Sequence, residues 1–389
     1  MDRSIDDIRI EAVKRYLSGE SASDIAKDLK KGRRWLYKWV RRYEISDDNW
    51  FKERSRRPLL IANRTSADIE NLVLEVRERL EQTKYAQIGA NAIQWELKKL
   101  GAERIPEIWT INRILARNGK VRRKQKYEPK LKSYPSFPSD NPNDLQQGDI
   151  LGPRYIKGGW RFYSLNVMDI ARHKVALSPI RTKQDMKVTD ALISAWRRLG
   201  IPKFFQMDNE LVFRGSNRYP RSFGDVIGIC LALGIEPVFI PVGEPWRNAE
   251  IERFQDIFDK KFFRTQVFIS FEELLEQAEV FEVFHNENHR YSVLKGKTPQ
   301  EIEERLSFRP IFPTSSFMVP KERPSEGKVH LVRFIRSDCM LDVFSEKFRV
   351  ISDLVYEYVV ATICVKEQKL EVVYDGKMVQ EFDYRLYLK

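Results

Sequence analysis

No run of about 18 apolar residues occurs anywhere in the 389-residue chain, so no transmembrane helix is expected. The opening stretch MDRSIDDIRI is polar and acidic, unlike a secretory signal peptide. Cysteine is scarce: Cys230, Cys339 and Cys364 are scattered, with no CxxC spacing. That argues against a disulfide framework or a thiolate zinc site, and makes the reducing cytoplasm the default compartment. Histidine is scarcer still, with four in the chain. His285 and His289 stand one helical turn apart but lack paired cysteines, and read as structural rather than metal-binding. What the chain has in excess is positive charge: 68 Lys and Arg against 56 Asp and Glu give a net charge of +12. This points to a polyanionic partner, with a basic ribosome- or membrane-surface protein as the alternative. A hydrophobic content of 42% with 12% aromatic residues supports sizeable cores, and the length suits two to four domains.

Residues 1–45 read as three short helices. Ile8, Ala12, Val13, Tyr16 and Leu17 have helical spacing, closed by Ser18-Gly19. Ser21 or Ser23 can cap the next helix, and a break at Lys30-Lys31-Gly32 precedes RRWLYKWVRRY. That third helix is expected to turn Leu36, Trp39 and Val40 inward. Arg33, Arg34, Lys38 and Arg41 then remain for phosphates and base edges. The segment resembles a helix-turn-helix of the homeodomain-like kind; a small bundle with a solvated basic face is the bland alternative. Residues 46–64 form a basic linker in which Arg56 and Arg57 are candidate DNA contacts. Residues 65–120 read as a second helical unit, with Arg113 on its last helix and Asn118-Gly119 as a stop signal. Eight basic residues and one acidic residue lie between 117 and 132. Arg122, Arg123 and Lys124 there are candidate DNA contacts, in a Pro-rich linker spanning 121–143 that reads as stiff and extended.

Residues 144–307 carry the chemistry. The element order reads strand, strand, strand, helix, strand, helix, strand, helix. Three carboxylates stand at element edges: Asp149 in or just after an extended run, Asp208 after KFFQM, and Glu252 in the first turns of NAEIERFQDIF. Converged carboxylates repel and call for bound cations or raised pKa values. Mg²⁺ suits hard oxygen ligands. Glu250 and Glu252 lie about 200° apart on a helix, so one of them at most faces such a site, and periodicity does not choose between them.

At these residues the chain resembles a DDE transposase of the retroviral-integrase superfamily, of the bacterial insertion-sequence type. The resemblance rests on Asp149, on Met207-Asp208-Asn209, and on PWRNAEIERF with Asn248, Glu252, Arg253 and Phe254. The segment VMDIAR ending in Arg172 fits the usual second-strand end. Two residues depart from the pattern: Glu210 and Ala249 replace glycines. The cysteine-paired zinc module of retroviral integrases is absent. The resemblance implies a ribonuclease H-like integrase catalytic core in which Asp149, Asp208 and Glu252 are both catalytic and metal-binding. It implies two Mg²⁺ ions, with Mn²⁺ as an accepted substitute, and a second helix-turn-helix at 65–120. It selects Glu252 over Glu250.

After a linker at 308–325, residues 326–389 alternate polar and apolar positions, and Asp375-Gly376 is a hairpin signal. A small β-barrel of five or six strands is expected there. The fold class is thus multidomain: N-terminal all-α helix-turn-helix domains, a central α/β ribonuclease H-like core, and a C-terminal small all-β barrel. The function implied by the resemblance is Mg²⁺-dependent cleavage of DNA and strand transfer at transposon ends. The alternative is a domesticated or inactive relative that only binds specific DNA. The expected partners are transposon-end DNA, target DNA, further copies of the chain as a dimer or tetramer on DNA, and accessory transposition proteins. The expected location is cytoplasmic and nucleoid-associated, in a bacterium, with no membrane contact.

Overall fold

The computed structural model of the chain describes residues 5–45, 49–53, 65–121, 133–218, 221–306, 311–314, 317 and 324–387. They fall into two compact units, Met1–Ser66 and Ala67–Lys389. No helix among the described residues is long and apolar enough to cross a membrane.

The first unit is three helices, α1 (Ile5–Leu17), α2 (Ala22–Asp28) and α3 (Arg33–Glu44). Ser21 caps α2, accepting from the Ser23 N–H. Ala12, Val13, Ile25, Leu36, Trp39 and Val40 make the core. The i, i+3, i+4 spacing of the last three gives α3 one apolar stripe, as expected from sequence. Arg9 and Arg42 lie over the Trp39 ring, with guanidinium carbons 4.3 and 4.6 Å from its centroid.

The second unit opens with α4 (Ala67–Gln82), α5 (Ala90–Lys99) and α6 (Ile108–Arg117), packed around Val73, Val76, Ile93, Leu97, Ile111 and Ile114. These helices dock against the α/β centre of the same unit. Tyr85 inserts among Phe262, Phe281 and Phe284. Gln87 donates to the Arg290 carbonyl at 2.8 Å and accepts from the Arg290 N–H at 2.5 Å. Lys261 Nζ donates to the Ala86 carbonyl at 2.6 Å, and its burial pulls its pKa down to about 8.

The centre is an α/β layer structure: β1 (Leu145–Tyr155), β2 (Arg161–Asp169), β3 (Val175–Ile180), α7 (Asp185–Leu199), β4 (Phe204–Met207), α8 (Leu211–Arg214), α9 (Asp225–Ala232), β5 (Glu236–Phe239), α10 (Ala249–Ile257), α11 (Phe271–Asn288) and α12 (Pro299–Glu303). Strands β1, β2 and β3 run antiparallel in order, and β4 and β5 join parallel on the other side of β1. Every residue of β4 is buried, as parallel strands covered on both faces require. One face carries α7 and α9 through Val188, Leu192, Trp196, Val226 and Ile229. The other carries α10 and α11 through Ile251, Phe254 and Phe281 against Phe162, Met168 and Val175.

The C-terminal strands differ from expectation. They are β6 (Lys328–Phe334), β7 (Met340–Val343), β8 (Glu346–Arg349), β9 (Tyr358–Cys364), β10 (Lys369–Tyr374) and β11 (Lys377–Asp383). Instead of a separate barrel, β6 pairs in parallel with β5 through Val238↔His330 and Phe239↔Leu331. The result is an open nine-stranded sheet, β11-β10-β9-β6-β5-β4-β1-β2-β3, with β7 and β8 as a separate two-stranded ribbon. The physical reason is the β5 edge: its backbone groups need partners, and β6 supplies them while burying Val329, Leu331 and Val332.

The Pro-rich linker also adds to the packing of the sheet. Its described half is pinned on the sheet: Tyr134 meets Tyr358 edge-on at 5.2 Å, and Phe137 lies 5.0 Å from Phe204 and 5.3 Å from His330 between centroids.

Candidate active site

Asp149 lies inside β1, opposite Asn166 of β2, rather than at its edge. Side chains alternate along a strand, so Gln147 and Asp149 share a face, and that face meets α10. Gln147 Oε1 accepts from the Ile251 N–H at 3.2 Å, and Asp149 Oδ2 accepts from Gln255 Nε2 at 2.8 Å. Residues 251 and 255 stand one helical turn apart, matching that two-residue repeat. Gly148 faces the other way: a Cβ there would stand 2.3 Å from the Phe205 ring. Asp208 follows β4 directly and accepts from the Glu210 N–H at 2.9 Å. Glu252 sits in the first turn of α10, which a 3₁₀ turn at Pro245–Asn248 introduces. Asn248 is buried and ties three elements together. Its Nδ2 donates to the Gly148 carbonyl at 3.1 Å, and its Oδ1 accepts from Gln206 Nε2 at 3.2 Å. Gln206 Nε2 also donates to the Arg247 carbonyl at 3.0 Å. This polar network fixes the start of α10 against β1 and β4.

All three carboxylates hold their protons more tightly than usual. Burial lifts Asp149, partly offset by the bonds from Gln255 and Ile150, with the Glu210 charge lifting it further. Burial also lifts Asp208, to about 6, with the Asp149 and Glu210 charges adding to it. Glu252 is raised by burial and then by Asp149. Asp149 thus acts electrostatically on both of the others. Glu250 points elsewhere: its carboxylate is 3.0 Å from Arg253 Nη1 and 3.9 Å from His173 Nδ1.

Among the described residues, no three His, Cys, Asp or Glu side chains form a cluster ready to hold a metal ion. Like charges repel, and the fold partners Asp149 and Asp208 separately, through Gln255, Ile150 and Glu210. The donor set nevertheless has the chemistry of a hard divalent cation site: oxygen-only, anionic, and costly to ionise without a counter-charge.

Glu210, one of the two departures from the family pattern, stands just before α8 and pairs with Lys183 Nζ at 2.8 and 2.9 Å. Asn209 turns away from the carboxylates. Its Nδ2 donates to the Ile240 carbonyl at 2.6 Å and its Oδ1 accepts from Arg333 at 2.8 Å. Arg333 is buried, and its other donors reach the carbonyls of Asp342, Ile240 and Val332. Through it the C-terminal strands brace the residue beside Asp208. Arg247 is held within the protein by Glu244, Tyr358 and Tyr134. Trp246 is 56% exposed. Asp169 ends β2 as expected, accepting from the N–H groups of Asn143 and Arg172.

Of the candidate DNA-binding residues, Arg33, Arg34, Lys38 and Arg41 are exposed along α3, with Lys38 3.0 Å from Glu53. Arg113 is exposed on α6, 5.5 Å from the ring of the exposed Trp109. Arg56, Arg57, Arg122, Arg123 and Lys124 lie outside the described residues. His285 and His289 stack at 4.4 Å. His285 lies 2.8 Å from the Tyr291 hydroxyl and His289 3.0 Å from Gln87. Burial drives His285 far down and His289 to about 3, in keeping with their structural reading. Sequence reasoning missed Gln147, Gln206, Gln255, Lys183 and Arg333. Only the spacing of Gln255, one turn after Ile251, carried a signal.

Two family models match the chain. A homeodomain-like domain covers residues 6–48 and an integrase core domain covers residues 233–299; the second match contains Glu252 but neither aspartate. Among solved structures, the HTLV-2 integrase catalytic core domain in complex with magnesium is 18% identical, covering 42% of this chain and 99% of that one at a TM-score of 0.33. The simian T-cell lymphotropic virus intasome in complex with the PP2A regulatory subunit B56 gamma is 16% identical, covering 75% and 93% at 0.39. The catalytic core domain of BIV integrase is 16% identical, covering 41% and 93% at 0.31.

Proposed function

We propose that the chain is a transposase of the DDE transposase and integrase superfamily that binds the ends of its element and joins them to target DNA. What supports this reading is that the charge of Asp149 on β1 acts on both Asp208 at the end of β4 and Glu252 on α10, and that all three have raised proton affinity. In this reading these three side chains hold Mg²⁺, two ions in all, with Mn²⁺ as a substitute. The metal, when bound, supplies Lewis-acid stabilisation and an activated nucleophile for in-line displacement at phosphorus. The protein's own residues do the rest. Asn248, Gln206 and Gln147 hold α10 in register with the sheet, so that Glu252 faces Asp149. Gln255 orients the Asp149 carboxylate. Arg333 and Asn209 stiffen the backbone after Asp208. The nucleophile is a water in the cleavage step and a DNA 3′-hydroxyl in the joining step. The bond broken is phosphorus to the leaving 3′-oxygen, which departs with a proton.

The N-terminal unit supplies sequence reading through α3, and α6 supplies a second reader that shares a compact unit with the chemistry. An element has two ends, so the working species is a homo-oligomer, at least a dimer, on DNA. The alternative of a relative that only binds DNA has no support from Glu210, whose charge is paired with Lys183. Incubating the full-length protein with Mg²⁺, a duplex carrying the end sequence that flanks its gene, and a plasmid target separates the two readings. Covalently joined product supports the transposase. Tight, sequence-specific binding without any product in Mg²⁺ or Mn²⁺ supports the binding-only relative.

A further inference from the structure

A DNA phosphate approaching Asp149, Asp208 and Glu252 meets a strongly negative surface, to which Glu210 adds. The cations around that surface are mostly committed. Arg253 pairs with Glu250 on another face of α10, Arg247 is boxed by Glu244, Tyr134 and Tyr358, and Arg214 donates to the Asn209 carbonyl and to Asn217. Lys183 is different. It lies in the loop between β3 and α7, with its Nζ 5.2 Å from the Tyr163 ring centroid and 2.8 Å from Glu210 Oε1. Both members of the pair are partly exposed, 27% and 39%. It is also near enough to Asp149 and Asp208 for its charge to act on both.

Building on the transposase reading, we propose that Lys183 is a substrate-binding residue that exchanges Glu210 for a non-bridging oxygen of the scissile phosphate. Three observations carry this. The pair is exposed enough to open, and such pairs are worth about fivefold or less in an equilibrium. The Tyr163 ring, 5.2 Å from Nζ, gives the ammonium a second contact beside Glu210. And Glu210 is joined to Asp208 through its own backbone N–H, so the ammonium is held by a residue two positions after Asp208 rather than free in solvent. Glu210 thereby acts as a holder for Lys183, which gives the unusual acidic residue a role that leaves the carboxylate trio intact.

The test is a coupling cycle on the full-length protein in Ca²⁺, read by fluorescence anisotropy. The end duplex carries either a normal phosphodiester or a neutral methylphosphonate at the scissile linkage. Lys183→Met should weaken binding of the normal duplex about tenfold, the size of a charge-assisted hydrogen bond, and Lys183→Arg should restore most of it. On the methylphosphonate duplex, wild type and Lys183→Met should bind within about twofold of each other. An equal loss on both duplexes, or no loss on either, overturns the inference. A parallel joining reaction of the wild type in Mg²⁺ separates the two levels. Wild type that joins DNA while Lys183→Met shows no phosphate-specific loss leaves the transposase reading standing and removes the role of Lys183. Wild type that joins nothing removes the reading and the inference with it.

Discussion

Asp208 offers a thermodynamic handle on the site that needs no DNA. Its pKa rises from the ordinary 3.8 to about 6, chiefly through burial, with Asp149 and Glu210 adding to it. A folded-state pKa above the unfolded one means that the folded protein binds the extra proton between those two values. The stability this confers is complete below about pH 4 and is lost as pH rises through about 6. At about 1.4 kcal/mol per pH unit, the rise amounts to about 3 kcal/mol. Coupling to Asp149 and partial exposure make about 1–3 kcal/mol the realistic range. Asp208→Asn keeps the size and the acceptor for the Glu210 N–H while removing the charge. In EDTA at pH 7.5 it should therefore melt above wild type by about 2–6 °C. The gap should be flat above pH 7 and close toward pH 4. Thermal unfolding followed by tryptophan fluorescence across that range measures it. A mutant that melts at or below wild type at pH 7.5, or a gap independent of pH, refutes the claim that Asp208 is held in a desolvated, like-charged setting. The same scan with Mg²⁺ should raise the wild type and leave the mutant nearly unmoved.

Packing and charge give further outcomes. Gly148→Ala places a methyl 2.3 Å from the Phe205 ring and should cost about 1–3 kcal/mol of stability; an unchanged denaturant midpoint would show that β1 and β4 can spread at no cost. Arg333→Met leaves Asn209 Oδ1 and the Asp342 carbonyl without their donor. It should lower stability by about 2 kcal/mol or more and lower joining more than end binding; equal losses in both would remove its link to Asp208. Arg33→Ala or Arg34→Ala should weaken end-DNA binding by about 1–3 kcal/mol if the side chain reads a base edge. A loss seen equally on random DNA, with a shallower salt slope, would mark that residue as a phosphate contact instead.

The helices were legible because burial on one side imposes a 3.6-residue period. Leu36, Trp39 and Val40, and likewise Val188, Leu192 and Trp196, declare their faces without a structure. The choice of Glu252 over Glu250 came only from the family resemblance, since both sit in the first turn of α10. The partner of β6 was not legible. A two-residue alternation tells which face of a strand is buried but not which edge it pairs with, so HLVRF reads equally well as barrel or sheet extension. Gln206 and Gln147 were equally silent, because a polar residue in a strand looks solvated until its buried partners are known. The pinning of Tyr134 and Phe137 was hidden by the prolines around them, which signal an extended backbone but not the surface it lies on.

The central claim is that Asp149, Asp208 and Glu252 act together on DNA while Glu250 does not. It is tested most directly by one joining assay with end duplex, plasmid target and Mg²⁺, run beside an end-binding measurement on the same preparations. Asp149→Asn, Asp208→Asn and Glu252→Gln should each reduce joined product by at least about a thousandfold with end binding within a few-fold of wild type, and Glu250→Gln should join within a few-fold of wild type. Near-normal joining by Glu252→Gln, or loss of joining by Glu250→Gln with binding intact, would contradict the account.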